Sequence, residues 1–476
     1  MNDNALVVER SASPAAAPPG IGHRSPLLSM LGGAAPLFAA LASIALLGFG
    51  VREGVVSPFI LAVVLALAGF GLVRLTSARS EARALSRLFV TVFSVNLIVA
   101  VVLYLLLEAR YGVPFLIGGT DDRAFHEAGL MLYERGALTP AAARDELLGV
   151  ASYIGYPLVV AWTYAFGDAI GHLHTMLPRV FNCFMGGLLA LLVYRVARAA
   201  AYRPGVALGA AYFAGLYPFL VFHNALILRD TIIAVLILTT LYTAMGLELS
   251  WRGAVRAAVV VACVVLLLDF RDASAALVVL SLLVIGLTES VRRSIVARIA
   301  AVAVAGIVVV FLFDQLAYWY ARGALYQQAY LELMGTRSAA DSLGMALLGL
   351  PFPFDLVARL LLGLMWPLPV LAGDPAEVFK NAGALVWYPL VPFVVRGWIR
   401  AFSSHRARPA AVTALLFFLG VSLVTMAFRH MTQFVPILVI FGIAEFSRGS
   451  MQRLLWLSAG FLACGLGLAA YAVLKF

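Results

Sequence analysis

Residues 87–107 read RLFVTVFSVNLIVAVVLYLLL, an apolar run in which Arg87 is the only charged residue. A helix of about 20 such residues spans the roughly 30 Å hydrocarbon core of a bilayer. The run ends at Glu108, where a long polar segment begins, and comparable runs recur before and after it. This pattern predicts an all-α fold, a polytopic transmembrane helical bundle.

The composition of the whole chain agrees with this prediction. Of its 476 residues, 63% are hydrophobic and only 12% are charged, whereas soluble globular proteins carry about 25% charged residues. In a membrane protein, an excess of basic residues, here a net charge of +10, is first interpreted as the signal that orients the spans. We therefore expect a lipid bilayer, and no nucleic acid, as a partner. Cys183, Cys263 and Cys464 lie far apart in apolar stretches, which excludes a disulfide framework and a CxxC metal motif.

Thirteen apolar runs are candidate membrane spans. They cover about residues 32–50, 57–75, 87–107, 180–198, 205–223, 226–246, 256–270, 274–290, 298–314, 380–397, 410–427, 431–446 and 453–474. Two further stretches, 151–167 and 343–372, could each cross the membrane or lie at its surface. Residues 1–30 are rich in Ala, Pro, Ser and Gly and predict a disordered cytoplasmic tail, which leaves 31–476 as the transmembrane domain.

The distribution of basic residues predicts the orientation of these spans. With a cytoplasmic amino terminus and neither ambiguous stretch crossing, the inner side holds 20 of the 34 basic residues and 6 of the 24 acidic residues. Short cytoplasmic loops are enriched in Lys and Arg, so we expect this arrangement. The stretches 151–167 and 343–372 are then interfacial or re-entrant helices within two large outer loops, about 108–179 and 315–379.

The first outer loop contains an acidic pair at a helix start. Gly118-Gly119-Thr120 is a turn signal, and Asp121 and Asp122 follow it in a predicted helix that continues to Gly136. Two such carboxylates can serve as a general base and as a group that orients an acceptor or holds a divalent metal. Alternatively, both only cap the helix and favour its dipole. His126 could share a helix face with Asp122 and bind the metal, or form an interfacial hydrogen bond.

Three arginines lie in short turns on the predicted outer face, against the positive-inside bias. They are Arg229, Arg271 and Arg429. A guanidinium suits phosphate because its planar fork donates two hydrogen bonds at once and stays charged. Arg429 has no acidic neighbour in the sequence and is followed by His430, so we expect a functional role for it, given the cost of unpaired charge near lipid.

Local ion pairs are the alternative explanation for the other two arginines. Arg229 could pair with Asp230, and Arg271 with Asp269 or Asp272. Such pairs would offset the cost of charge near the membrane without any substrate. The sequence leaves both explanations open.

The order of these motifs resembles that of the GT-C membrane glycosyltransferases, the group with the protein O-mannosyltransferases and the lipid A aminoarabinose transferases. The acidic pair is followed by Tyr156-Pro157-Leu158, by Arg179-Val180-Phe181-Asn182 at a span start, and by the Arg-containing segment 428–436 before a late span. The resemblance covers about residues 87–446. The mannosyltransferase pattern has Asp-Glu where this chain has Asp121-Asp122.

The resemblance implies a GT-C-like bundle in a bacterial inner membrane, with the active site facing the periplasm. It implies inverting transfer of a hexosyl or pentosyl group from a polyprenyl-phosphate-linked donor to a glycan, lipid or protein acceptor. Asp121 is then the catalytic base and Asp122 the orienting or metal-contacting group, or the two exchange roles. The substrate-binding residues implied are Arg229, Arg271, Arg429, His430, His126 and Tyr156.

Two other functions fit the sequence. A surface-polysaccharide polymerase or ligase displaces a similar leaving group from a glycan donor, and a transporter or flippase moves a lipid-linked substrate. Transporters typically place ionisable groups at mid-membrane, whereas here the polar residues concentrate in the predicted outer loops. The sequence therefore favours an enzyme.

Overall fold

The computed structural model describes residues 26–116, 120–148, 153–246, 250–290, 353–365, 375–424 and 428–448, with shorter pieces between 351 and 467. The described residues are mainly helical and contain no strand. The helices are α1 (Pro26–Gly33), α2 (Ala35–Glu53), α3 (Ser57–Thr76), α4 (Arg79–Tyr111), α5 (Thr120–Glu134), α6 (Pro140–Glu146), α7 (Gly155–Ala169), α8 (Met176–Ala199), α9 (Pro204–Leu216), α10 (Pro218–Asn224), α11 (Asp230–Ala244), α12 (Trp251–Phe270), α13 (Asp272–Ser290), α14 (Phe354–Met365), α15 (Pro375–Trp387), α16 (Val391–Ser403), α17 (Arg408–Val424) and α18 (Val435–Phe446).

The described helices make this chain a multi-pass helical membrane protein. Among the described residues, six helices are long and apolar enough to cross a bilayer, and a bent pair, α9 with α10, would be a seventh. Shorter apolar helices accompany them at α11, α13, α17 and α18. The number of 13 spans and the GT-C-like arrangement stay predictions, because the candidate span 298–314 and much of the second outer loop lie outside the described residues.

One predicted boundary differs from the structure at the amino-terminal side. Residues 26–30, which the composition assigns to the tail, form the first turn of α1, where Pro26 begins an apolar segment. Proline is favoured at the first helical position because it has no N–H to leave unpaired.

The ambiguous stretch 151–167 corresponds to α7, which packs against α5 and α8.

The centre of the bundle is formed by α4 and α8. In their apolar segments 61% and 67% of the residues are buried, against 22% in α2, α3 and α12. Interior helices of a membrane protein face other helices, while peripheral helices face lipid. The three less buried helices therefore lie at the periphery of the described bundle.

The sequence predicts continuous spans over 205–223 and 226–246, but the structure interrupts both. The first bends by 55° between Leu216 and Pro218. Pro218 has no N–H for the helix ladder and disfavours helical geometry at Tyr217, which is extended. In the second, residues 225–228 form a buried non-helical segment at the start, and α11 begins only at Asp230.

The described part of the segment 108–179, the first predicted outer loop, folds as a small helical layer on the bundle. Its helices α5 and α7 approach closely, because an added Cβ on Gly129 would come within 2.4 Å of the Val160 side chain. A separate apolar cluster around Leu132, Leu147 and Leu158 fills the space between α5, α6 and α7. Gly136 ends the first of these helices in the left-handed conformation, at the predicted position.

Candidate functional site

A buried ion pair joins the segment 108–179, the first predicted outer loop, to the bundle. Asp122, in the first turn of α5, and Arg179, in the first turn of α8, have side chains that are 1% and 0% exposed. Their closest oxygen and nitrogen atoms are 3.4 Å apart. Burial raises the pKa of Asp122, and the Arg179 charge opposes that rise. The carboxylate therefore depends on Arg179 to remain ionised inside the protein.

The same pair holds the buried segment 225–228. Arg179 donates to the carbonyl oxygen of Ala225 at 2.9 Å and to that of Pro114. The other oxygen of Asp122 accepts the N–H of Ile227 at 2.8 Å. Irregular backbone that is buried must find such partners within the protein, because no solvent reaches it.

A second set of side chains completes this support. Asn182, one turn after Arg179 in α8, donates to the carbonyl oxygens of Leu226 and Leu228 at 2.6 and 2.9 Å. Asn224 donates to Asn96 of α4 at 2.9 Å and accepts from Thr231 of α11. Both ends of the segment are thereby fixed, and Arg229 and Asp230 follow it in defined positions.

Arg229 is held by aromatic rings and a carbonyl group. Its guanidinium lies 4.4 Å from the ring centre of Tyr153 and 5.5 Å from that of Phe125, and it donates to the Phe270 carbonyl at 2.8 Å. Tyr153 in turn donates to Asp272 at 2.6 Å. Burial, followed by this hydrogen bond, raises the pKa of Tyr153 to about 12. The phenol therefore stays protonated and keeps the ring in place.

Arg271, between α12 and α13, lies beside Arg229 and contacts Asp230 at 3.7 Å. Its Nη2 is 2.5 Å from Nε2 of His430. A guanidinium can only donate, so Nε2 accepts and His430 carries its proton on Nδ1. Burial and the positive charge of Arg271 lower the pKa of His430 well below its ordinary value. His430 is therefore neutral at physiological pH.

Arg429 meets Asp121. The carboxylate and guanidinium are 2.5 Å apart, with side chains that are 35% and 34% exposed. Arg429 lies in the short 3-10 helix Phe428–Gln433, which precedes α18 and is tied to α13 by a hydrogen bond of 2.7 Å from Ser274 to Gln433. The structure thus places Asp121 next to a residue 308 positions later in the chain.

The three arginines form one group, which we call the arginine cluster: Arg229, Arg271 and Arg429. Burial lowers the pKa of Arg229 and that of Arg271, the latter to about 10, and Arg429 adds to both effects through its charge. Contacts join the three: Arg229 donates to the carbonyl of Phe270, next to Arg271, and Arg271 contacts His430, next to Arg429. The carboxylates of Asp121 and Asp230 contact the cluster directly, and Asp272 is linked to it through Tyr153. Arg429, paired with a carboxylate that is about one-third exposed, is the member of the cluster whose partner a further anion can replace.

Asp122, Tyr156 and His126 lie outside this group, which differs from their predicted contact with substrate. Asp122 is buried with both oxygens engaged, so it neither faces solvent nor merely caps its own helix. Tyr156 is 1% exposed and accepts from Asn182. His126 hydrogen-bonds Tyr164 at 2.6 Å and stacks on Phe115. All three serve the packing of α5 and α7 against the bundle.

The local ion pairs that the sequence left open are accompanied by longer-range contacts. Arg271 contacts Asp230 across the site, and Asp269 pairs with Arg144 of α6 at 3.1 Å. Arg229 contacts rings and a carbonyl, and the charge of the neighbouring Asp230 also acts on it. The turn at 269–272 therefore connects the segment 108–179 with the arginine cluster.

The acidic pair does not fit a metal ion. Asp122 is committed to Arg179 and Ile227, and Asp121 to Arg429. A divalent cation needs several oxygen ligands that are not already paired with cations. In the described ranges, no three His, Cys, Asp or Glu side chains gather closely enough to hold a metal.

Comparison with known proteins gives no relative. No protein-family model matches this sequence, and no curated protein and no solved structure is significantly similar to it.

Sequence reasoning missed the roles of Arg179, Asn182 and Tyr153. A partner for Arg179 could be expected from the sequence, because a charged residue at the start of an otherwise apolar helix is costly when it is unpaired. Asn182, one turn later, points to the same side of the helix. Tyr153 lies in a segment with no charge or periodicity to mark it.

Proposed function

We propose that this protein is a membrane glycosyltransferase that uses a polyprenyl-phosphate-linked sugar donor. The observation that supports it most is the contact between Asp121 and Arg429 beside Arg229 and Arg271. It combines an exposed carboxylate, which can accept a proton, with cations suited to a leaving phosphate. The acceptor is a glycan, lipid or protein on the periplasmic side.

In this proposal Asp121 is the base. It takes the proton of the acceptor hydroxyl as that oxygen forms a bond to the anomeric carbon. The bond from this carbon to the phosphate oxygen breaks, and its electron pair leaves with the polyprenyl phosphate. The arginine cluster stabilises the second negative charge that this phosphate acquires. Attack from the face opposite the leaving group inverts the anomeric carbon.

The contact between Asp121 and Arg429 must open for this reaction. Arg229 and Arg271 are fixed by buried groups of the protein, whereas Arg429 pairs with a carboxylate that is itself one-third exposed. A donor phosphate can therefore replace Asp121 as the partner of Arg429 at little cost. The exchange releases Asp121 to act as a base only when the donor is bound, which places donor binding before acceptor binding.

Asp122 acts indirectly in this scheme. It holds Arg179 and the N–H of Ile227, and so fixes the segment that precedes Arg229. Asp122 is a positioning residue, while Asp121 alone of the pair meets the reacting atoms. Successive helical residues point about 100° apart, which allows neighbours to have such different surroundings.

A strain that lacks this protein tests the proposal. We expect loss of a surface glycan modification and accumulation of the unused donor at the outer face of the membrane. Membrane-impermeant periodate, which oxidises sugars, should consume the accumulated donor in intact spheroplasts. Donor that accumulates but is protected from periodate would identify a flippase instead. Unchanged lipid-linked sugars and surface glycans would also contradict the proposal.

Replacement of Arg429 by Gln is expected to weaken binding of polyprenyl phosphate, the product shared by all such donors, by about 10- to 100-fold. A hydrogen bond to a charged group contributes about 1.5–3 kcal/mol. Arg429→Lys keeps the charge but loses the planar fork, so the affinity of this variant should lie between those of the wild-type and Arg429→Gln proteins. Native mass spectrometry of the purified full-length protein measures this affinity.

The matched control for Arg429 is Arg123→Gln. Arg123 lies on α5 near the site, is 65% exposed and pairs with Glu127 at 2.7 Å, away from the cluster. Its replacement changes the net charge equally and should leave polyprenyl phosphate binding within about twofold. Equal affinity of the wild-type and Arg429→Gln proteins would remove Arg429 from the site.

A further inference from the structure

A second arginine group surrounds one buried glutamate at the other end of the bundle. Glu445, near the end of α18, has a side chain that is only 3% exposed. Arg396 and Arg400 of α16 lie 3.1 and 2.8 Å from its oxygens, and Arg448 lies 3.2 Å away. We propose that this group, the inner arginine group, binds the phosphate of an anionic phospholipid.

The charges of the inner arginine group do not balance. One carboxylate faces three guanidiniums, which leaves two positive charges in excess. The carboxylate accepts about four hydrogen bonds, whereas each guanidinium offers five N–H groups. The side chains of Arg396, Arg400 and Arg448 are 28%, 42% and 51% exposed. Glu445 therefore holds the three in place while their outer N–H groups remain accessible to a further anion.

The inner arginine group lies at the end of the bundle opposite the candidate site. Tyr202, just after the carboxy-terminal end of α8, lies close enough to Glu445 and Arg448 for their charges to affect its pKa. Arg179 lies at the start of the same helix, about 30 Å away. Arg198 in the last turn of α8 contacts Glu81 at 3.8 Å, at the end of that helix away from Arg179. By the positive-inside expectation this end is cytoplasmic, where anionic lipids attract basic clusters.

The surroundings favour a lipid over a free anion. Arg396 stacks on the Trp456 ring at 5.5 Å, and tryptophan is enriched at membrane–water interfaces. Ile399 and Leu455, one residue from Arg400 and Trp456, are 65% and 66% exposed. A phospholipid whose phosphate meets the arginines can lay its acyl chains against such apolar side chains, which a soluble phosphate cannot do.

The test uses the purified full-length protein in a zwitterionic detergent. Binding of phosphatidylglycerol, phosphatidylcholine and inorganic phosphate is measured by native mass spectrometry and by thermal shift. We expect the protein to bind phosphatidylglycerol at least tenfold more tightly than phosphatidylcholine. We also expect lipid to bind more tightly than inorganic phosphate. Comparable binding of phosphatidylcholine, or of inorganic phosphate alone, would overturn the proposal.

The double replacement Arg400→Gln with Arg448→Gln leaves Arg396 to neutralise Glu445. It should weaken phosphatidylglycerol binding at least tenfold, because the phosphate loses hydrogen bonds from two guanidiniums and each such bond to a charged group contributes about 1.5–3 kcal/mol. Arg448→Gln alone, the most exposed of the three, should weaken binding less than the double variant, without loss of helicity by circular dichroism. Unchanged affinity in the single and double variants would exclude the inner arginine group as the site.

The control is Arg79→Gln with Arg83→Gln. Both side chains are exposed at the start of α4, on the same side of the protein, and their removal changes the net charge equally. Phosphatidylglycerol binding should then change by less than about twofold. An equal loss in this control would show a general charge effect and would overturn the assignment.

Discussion

Replacement of Asp121 by Asn is expected to reduce glycosyl transfer by about 10²–10⁴-fold, the usual contribution of a general base. Asparagine keeps the shape of the side chain but cannot take the proton of an acceptor hydroxyl. Because Asp121 is 35% exposed, the amount of folded protein should not change. Profiling of surface glycans in a deletion strain that carries each variant measures the loss, and immunoblotting measures abundance.

The matched control for Asp121 is Glu127→Gln on the same helix. Glu127 is 57% exposed and pairs with Arg123. Its replacement by Gln therefore removes an acidic residue close to the site without touching the arginine cluster. Its glycan profile should be that of the wild type. A normal profile with Asp121→Asn would exclude the role of this residue as base, and an equal defect in both variants would show that the effect is only general charge.

The largest expected effect on stability comes from Arg179→Gln. Breaking a buried ion pair by removing one partner costs about 3–5 kcal/mol, because the other charge stays buried without compensation. Here the loss also leaves the carbonyl groups of Pro114 and Ala225 without their donor. We expect a strongly reduced yield of folded protein and a lower melting temperature in detergent.

Two comparisons separate this effect from a general loss of charge. Glu108→Gln removes the partner of Arg52 in a pair that is 53% and 29% exposed, and it should cost less than about 1 kcal/mol. The double variant Arg179→Gln with Asp122→Asn removes both buried charges. It should be more stable than Arg179→Gln alone, since burial already disfavours the ionised Asp122. A double variant that is less stable than the single one would contradict the pairing.

The helical architecture follows from the sequence because lipid imposes one simple requirement. A backbone in hydrocarbon must satisfy its own hydrogen bonds, so apolar runs become helices. Hydropathy does not reveal where such a run breaks. Leu226 and Leu228 are as apolar as their neighbours, yet they are not helical, because Asn182 supplies donors to their carbonyl groups. That support comes from another helix, and no local pattern encodes it.

The candidate site was predictable only in part. The cost of charge near lipid singled out Arg429, and the turn signal at Gly118-Gly119-Thr120 singled out Asp121, but only the fold shows that they touch. Adjacency in the sequence made Asp122 look equivalent to Asp121. On a helix the two point in different directions, one toward Arg429 and the other toward the buried Arg179.

A photoreactive polyprenyl phosphate tests the central claim most directly. A diazirine on the first isoprene unit places the reactive carbon close to the phosphate, and mass spectrometry of the irradiated full-length protein locates the labelled peptides. We predict labels in the first turn of α5, at the turn around Arg271 and in the segment Phe428–Gln433, with a strong reduction in Arg429→Gln. Labels confined to the peripheral helices α2 and α3, or unaffected by that variant, would contradict the account.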